Sequence, residues 1–370
     1  MKSSSSTGAW PSSNSAWPPS GPDLPSKSLP SPAALLGQLE AAARTDHALI
    51  AGIAAYRASP YERVVPAATL IWQEGESTLT DYGGAGPAVL FIPSLVNRGY
   101  IFDLMEDSSM LRWLASAGAH PYLLEWGWPG ATERGFGLTD YIAGRLERAI
   151  AAIPGPVVLA GYCMGGLLAL AAALRLGDKI AALALLATPW DFHQPDAQAA
   201  ARVADMLGLF APTMHATGTL PIDALNTMFA LADPFGVGDK YRNFAAQDKA
   251  SPRAQRFVAV EDWLADGVPL AAPVARECLA GWYGANSPAR LAWRVAGQVV
   301  DPAALRVPQF VAIPARDRLV PAASAAALAA RLPAPHIVTA AAGHIGMVAG
   351  THAQTALWEP FAEWLRGLAS

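Results

Sequence analysis

The stretch Gly161-Tyr162-Cys163-Met164-Gly165-Gly166 constrains this chain more than any other part of it. Glycines placed around a central residue in G-x-S-x-G spacing mark a sharp turn from strand to helix, where backbone crowds a nucleophile and leaves no room for side chains. Here a thiol stands where serine is usual. Pro156-Val157-Val158-Leu159-Ala160 reads as a buried strand, and the strong helix formers from Leu167 to about Ala173 read as a helix. Cys163 is therefore expected at a helix N-terminus, where peptide dipoles and unpaired N–H groups favour a thiolate. A buried, inert cysteine beside a glycine packing contact is the plainer alternative. The glycine spacing favours the nucleophile.

The chain has 370 residues, 52% of them hydrophobic, and a net charge of −4. That length suits one α/β domain carrying an insertion, and that charge supplies no basic surface for nucleic acid. Cys163 and Cys278 are the only cysteines, which excludes a disulfide framework and points to a reducing, cytoplasmic setting. Residues 1–31 are mostly Ser, Pro, Gly and Asn with isolated Trp10 and Trp17, the composition of a disordered tail rather than of a secretory signal. From Ala149 to Leu174 no residue is charged, as in a membrane span. Pro154, Gly155, Pro156, Gly161, Gly165 and Gly166 divide that run into a buried strand and a buried helix, so no transmembrane segment is expected.

Further elements alternate along the chain. Strands are expected at 88–92, 120–126, 180–187, 309–313 and 336–340, with helices at 109–117, 138–153, 322–332 and 353–366. Strand–helix alternation of this kind implies a doubly wound, mostly parallel sheet. Between about 190 and 300 strand signals give way to segments rich in Ala, Leu, Met and Trp, read as a mainly helical cap inserted in a domain spanning 32–370.

A nucleophilic thiol needs a base, and an imidazole base needs a partner that fixes its tautomer. Asp317 follows one expected strand and His344 follows the last, and loops at the carboxyl ends of strands are where open α/β sheets place their sites. The chain order nucleophile, acid, histidine is that of the α/β hydrolases. A surface Asp between two arginines and a histidine capping the closing helix are the respective alternatives. His47, His120, His215, His336 and His352 lack such placement, and no Cys/His spacing suggests a metal. Asp191 and His193 follow a strand end near the site, where a loop turn and a hydrogen bond to the cap are expected. For the oxyanion hole, the backbone N–H of Met164 and that of Val96, or of its neighbour Leu95, are the candidates by position.

A thiol nucleophile keeps an acyl group as an activated thioester, which suits transfer to a hydroxyl better than release by water. An apolar cap would exclude water from such an intermediate. Trp263, Trp282, Tyr283 and Trp293 are candidates to line its pocket, with core packing the default for each.

At this point the chain resembles a family, the polyhydroxyalkanoate (poly-3-hydroxybutyrate) synthases of the short class III type, with an α/β-hydrolase fold. The similarity rests on residues 95–104, 122–129, 138–142, 188–192, 241–244, 261–263 and 283–286, and on Gly343-His344-Ile345-Gly346-Met347. It covers the chain from about residue 60 onward. It implies transfer of a 3-hydroxyacyl group from coenzyme A to Cys163 and then to a growing polyester. His344 would deprotonate the thiol, and Asp317 would orient His344 or assist activation of the incoming hydroxyl. The resemblance implies no cofactor beyond the coenzyme A thioester, and as partners a second helical subunit or a second copy of the chain, and the polyester granule surface. Three features depart from the family pattern: the tail, the alanine-rich insertion, and Gly99 where proline is frequent. The elbow alone also fits a cysteine hydrolase of the dienelactone hydrolase type, a thioesterase or a polyester depolymerase. A non-catalytic granule-binding scaffold would not need Cys163, Asp317 and His344 together.

Overall fold

The computed structural model describes residues 32–232 and 236–368. The chain divides into two compact units, Met1–His47 and Ala48–Ser370. The expected tail, 1–31, lies outside the described residues. A long helix, α1 (Pro32–Arg57), begins in the first unit.

The second unit is built on one eight-stranded sheet. Its strands are β1 (Thr69–Glu74), β2 (Ser77–Asp81), β3 (Ala88–Ile92), β4 (His120–Glu125), β5 (Val157–Tyr162), β6 (Ile180–Leu186), β7 (Gln309–Pro314) and β8 (His336–Ala340), in spatial order β1-β2-β4-β3-β5-β6-β7-β8. From β4 onward every neighbouring pair is parallel. β1 and β2 form an antiparallel hairpin that joins the sheet through β2 and β4. That hairpin adds to the elements expected from sequence.

Strand alternation explains where the core sits. Successive side chains on a strand face opposite sides. Leu90 and Ile92, Leu159, Leu183 and Leu185, and Val311 and Ile313 enter one apolar cluster together with α4 (Met164–Leu176). Val89 and Phe91, Val158 and Ala160, Ala182 and Ala184, and Phe310 and Ala312 enter the other, with α2 (Met110–Ser116) and the closing helix Glu359–Leu368. A sheet covered on both faces needs nearly continuous apolar strands, which is the composition of β3, β5 and β6. The uncharged run from Ala149 to Leu174 accordingly splits into the end of α3 (Glu147–Ala151), β5 and most of α4. Among the described residues no helix is long and apolar enough to cross a membrane.

Two of the expected helices open with a wide π-helical segment, Asp140–Leu146 before α3 and Gln354–Trp358 before the closing helix. Between β6 and β7 the chain runs through α5 (Ala197–Thr217), α6 (Ile222–Ala232), α7 (Gly236–Ala245), α8 (Pro252–Ala265) and α9 (Ala272–Arg276). A π-helical extension of α9, Glu277–Gly284, follows. Two small antiparallel pairs, Thr219–Leu220 with Leu270–Ala271 and Arg294–Val295 with Gln298–Val299, also lie in this region. Strands this short leave almost no periodic signal in a sequence.

Candidate active site

The elbow is a tight turn whose geometry its glycines permit. Cys163 sits between β5 and α4 with φ 56° and ψ −127°, a conformation that side chains rarely adopt. Its N–H donates to the Leu186 carbonyl at 2.8 Å, and its own carbonyl accepts from Gly166 at 3.0 Å. A Cβ on Gly161 would lie 2.5 Å from the Gly165 carbonyl oxygen. One on Gly165 would strike the carbonyls of Ile92 and Pro93, and one on Gly166 would strike the Thr188 side chain. Each glycine thus answers a specific backbone or side-chain neighbour.

The other two candidates converge on this thiol. His344 Nδ1 lies 2.6 Å from Asp317 Oδ2, and the imidazole is 9% and the carboxylate 0% exposed. Asp317 Oδ1 accepts the N–H groups of Leu319 at 2.8 Å and Val320 at 2.9 Å, a local turn that leaves Oδ2 to face the histidine. On the other side the Cys163 sulfur acts electrostatically on the same ring. Burial by itself pushes the imidazole down. The Cys163 sulfur, with the hydrogen bond and charge of Asp317, outweighs it, and His344 is pushed up to about 10. The arrangement sets an imidazole between a cysteine sulfur and a carboxylate.

Tyr162, inside the elbow, secures the histidine loop. Its hydroxyl donates to the His344 carbonyl at 3.1 Å and its ring packs against the imidazole at 4.9 Å. Burial, with the Cys163 and Asp317 charges, pushes its phenol well up, so it stays a neutral donor.

The two oxyanion-hole candidates are linked through a third residue. Met164 is the first residue of α4, so its N–H has no partner one turn earlier in the helix. The Val96 N–H donates to Ser94 Oγ at 3.3 Å, and the same hydroxyl lies 3.9 Å from the Met164 sulfur. The loop carrying Val96 is held by Glu125, at the end of β4. Glu125 Oε2 accepts the Gly99 N–H at 2.7 Å, and Arg98 pairs with Oε1 at 3.5 Å. Burial raises the Glu125 carboxyl against the opposing pull of Gly99 and Arg98. A proline at 99 would have no N–H to give. Ser94 and Glu125 have no signature in the sequence because their partners are a backbone loop and a distant strand end.

The remaining candidates take structural positions. Trp263 and the pair Trp282 and Trp293 are buried in the two core clusters, with the Trp263 indole donating to the Arg98 carbonyl at 2.7 Å. Tyr283 packs at the edge of the cluster that also receives Cys163, and burial together with the Cys163 charge pushes its phenol up. Cys278 is buried, and burial pushes its thiol well up. His120 pairs with Asp81 at 2.7 Å at the opposite end of β4, and His336 stacks on Phe310. Asp191 and His193 make the expected turn and cap contacts: Asp191 Oδ1 accepts from the His193 N–H, and His193 Nε2 lies 3.0 Å from the Tyr283 carbonyl. Among the described residues no group of three or more His, Cys, Asp or Glu side chains is placed to hold a metal ion.

Comparisons with known proteins bear on the fold and the family. Residues 87–351 match the α/β-hydrolase fold family model. The poly(3-hydroxyalkanoate) polymerase subunit PhaC of Allochromatium vinosum is 30% identical over 286 residues, 75% of this chain and 80% of that protein. The same-named subunit of Synechocystis sp. is 31% identical over 290 residues, 75% of this chain and 77% of that protein. A thermophilic esterase from Thermogutta terrifontis superposes with a TM-score of 0.50 at 19% identity, covering 84% of this chain and all of that one, a likeness of fold alone.

Proposed function

Since the chain belongs to the poly(3-hydroxyalkanoate) polymerases within the α/β-hydrolase fold family, we propose that it makes polyester by passing 3-hydroxyacyl groups from coenzyme A through Cys163. The observation that carries this reading is the Cys163–His344–Asp317 relay, gathered from three loops at the carboxyl ends of β5, β7 and β8.

The chemistry balances as two acyl transfers. His344 already holds the proton given up by Cys163, and the thiolate, facing the α4 N-terminus, attacks the thioester carbonyl. The oxygen that becomes negative is met by the N–H groups of Met164 and Val96, the latter turning from Ser94 Oγ; such donors are each worth roughly 10²–10³ in rate. The C–S bond to coenzyme A breaks, and the leaving thiolate takes the proton from His344. In the second transfer the hydroxyl of a 3-hydroxyacyl chain loses its proton to His344, attacks the acyl-Cys163 carbonyl and displaces the Cys163 thiolate. Asp317 holds His344 in the tautomer that both steps need.

The substrate is a 3-hydroxyacyl-coenzyme A, with no other cofactor. The protein works in the cytoplasm at the surface of polyester granules, with a second synthase subunit or a second copy of the chain as partner. The purified protein, alone or with a partner subunit, is expected to release coenzyme A from 3-hydroxybutyryl-coenzyme A and to form insoluble polymer. Stoichiometric free 3-hydroxybutyrate without polymer would instead identify a thioesterase or another cysteine hydrolase. Cys163→Ala should lower turnover by about 10⁴-fold or more, the scale of losing a covalent nucleophile. Cys278→Ala should retain most of it, and a Cys163→Ala variant as active as the parent would refute the assignment.

A further inference from the structure

The loop after β3 runs from beside the nucleophile into the cap. At its start the Pro93 carbonyl faces Gly165, where a Cβ would lie 2.6 Å from that oxygen, and Ser94 Oγ lies 3.9 Å from the Met164 sulfur. Val96 follows, with its N–H on Ser94 Oγ and its carbonyl accepting the Val268 N–H at 3.0 Å. Asn97 and Gly267 extend this contact as an antiparallel bridge between the loop and the segment after α8.

The peptide group joining Arg98 to Gly99 is held at both ends. Trp263, near the end of α8, donates its indole N–H to the Arg98 carbonyl at 2.7 Å, and the Gly99 N–H donates to Glu125 Oε2 at 2.7 Å. The Arg98 guanidinium spans the same divide, 3.5 Å from Glu125 Oε1 and 3.5 Å from Asp266 Oδ1. Residues 263–268 therefore grip the loop from the cap side, and Glu125 grips it from the end of β4. α8 is itself anchored by the two carboxylates before Trp263. Glu261 takes the Tyr241 hydroxyl and Lys240 Nζ, each at 2.8 Å, and Asp262 takes the Tyr56 hydroxyl at 2.8 Å. Trp263 is 3% exposed, so its bond is shielded from competing water.

We propose that the cap sets the oxyanion hole: the segment from Trp263 to Val268 fixes the backbone of residues 96–99 and so holds the Val96 N–H where the reacting oxygen turns negative. The proposal rests on Cys163 being the acylated nucleophile and Val96 an oxyanion donor. Trp263 and Glu125 are then positioning residues, acting through the loop backbone. A fixed donor of this kind favours only a step that places charge on a carbonyl oxygen.

Two reactions of the same thiol test this. p-Nitrophenyl acetate transfers its acetyl group to a cysteine through a tetrahedral oxyanion and releases p-nitrophenolate. Iodoacetamide alkylates by displacing iodide and forms no oxyanion. Trp263→Phe keeps an aromatic ring in the core but removes the indole N–H, leaving the Arg98 carbonyl without its cap partner. Acylation of Cys163 in this variant, read from the p-nitrophenolate burst, is expected to slow about tenfold, the scale of one buried hydrogen bond left unmade. Alkylation of Cys163, read by mass spectrometry, should keep the parental rate. Glu125→Leu should slow acylation likewise, and Glu125→Gln should recover most of it because the amide oxygen still accepts the Gly99 N–H. With 3-hydroxybutyryl-coenzyme A, the kcat for coenzyme A release should fall with the acylation rate while KM stays near the parental value.

Should Trp263→Phe not fold, the two Glu125 variants decide the same question from the sheet side. Acylation at the parental rate in the folded variants, or alkylation slowed in step with acylation, would overturn the proposal. A parent acylated by the ester that releases no coenzyme A from the thioester would sink the polymerase reading, and the ester rates would still decide the role of Trp263. A parent whose Cys163 takes no acetyl group would overturn both.

Discussion

At the scale of single residues, the proposed chemistry rests on how three side chains change one another once buried together. His344 is charged in a setting whose burial alone would neutralise it, because the Cys163 sulfur and the Asp317 carboxylate flank it. Its folded value, about 10, is above the ordinary histidine value of 6.5, so the imidazolium persists through neutral pH and loses its proton only as pH climbs toward 10. Cys163→Ala removes the largest raising influence, so the His344 ring should titrate at lower pH in that variant. An NMR titration of its ring protons checks this, and an unchanged inflection would contradict the ion pair. Asp317→Asn should keep the 2.6 Å contact but favour the wrong tautomer, lowering turnover roughly 10³–10⁴-fold with little change in thermal midpoint. Cys163, Asp317 and His344 were each singled out by spacing and chain order, and the fold brings the three together. Tyr162 was in plain view inside the elbow, yet its bond to the His344 carbonyl joins positions 182 residues apart. No local pattern records such a partner.

At the scale of elements, the elbow depends on α4 approaching β3 and β6 more closely than any side chain would allow. Gly165 faces the Ile92 and Pro93 carbonyls, which are backbone and cannot move aside, whereas Gly166 faces the side chain of Thr188. Gly165→Ala is therefore expected to destabilise the protein by about 3 kcal/mol, the upper range for overpacking, measured by urea unfolding. Gly166→Ala should recover part of its loss when combined with Thr188→Ala, and Gly165→Ala should recover none. The central strands and their helices could be read in advance because long apolar runs bounded by Pro and Gly admit few other structures. The β1–β2 hairpin escaped that reading although Gly75, at φ +57°, sits in its turn, because an edge strand with largely exposed side chains carries little apolar periodicity. The π-helical turn at Asp140–Leu146 is equally silent, since a helix of either width shows a similar spacing of apolar residues.

At the scale of the whole molecule, one buried ion pair ties the sheet edge to the crossover between β4 and β5. Arg145 donates to Glu133 at 2.8 Å, to the Glu74 carbonyl at 2.6 Å and to Ser77 Oγ at 2.9 Å, with 3% and 8% of the two charged side chains exposed. Removing one partner of a buried pair leaves the other charge uncompensated, so Arg145→Met should cost about 3–5 kcal/mol. Burial raises the Glu133 carboxyl, but the Arg145 hydrogen bond and charge prevail and hold it below its ordinary value of 4.5. Its contribution is therefore present above that pH and lost as pH falls through the lower folded value. Acid unfolding should accordingly be less steep in Arg145→Met than in the parent, as followed by circular dichroism. The sequence by itself determined the doubly wound sheet and the elbow, and it singled out Cys163, Asp317 and His344 as the candidate thiol, acid and base, because each is written in local spacing or in chain order. Only the tertiary structure decided that a carboxylate and a thiol would bracket His344, that Ser94 would join Val96 to Met164, and that Trp263 and Glu125 would grip the two ends of the peptide between Arg98 and Gly99. Those relations are distances between segments far apart in the chain, and distance is a property of packing that no single segment contains.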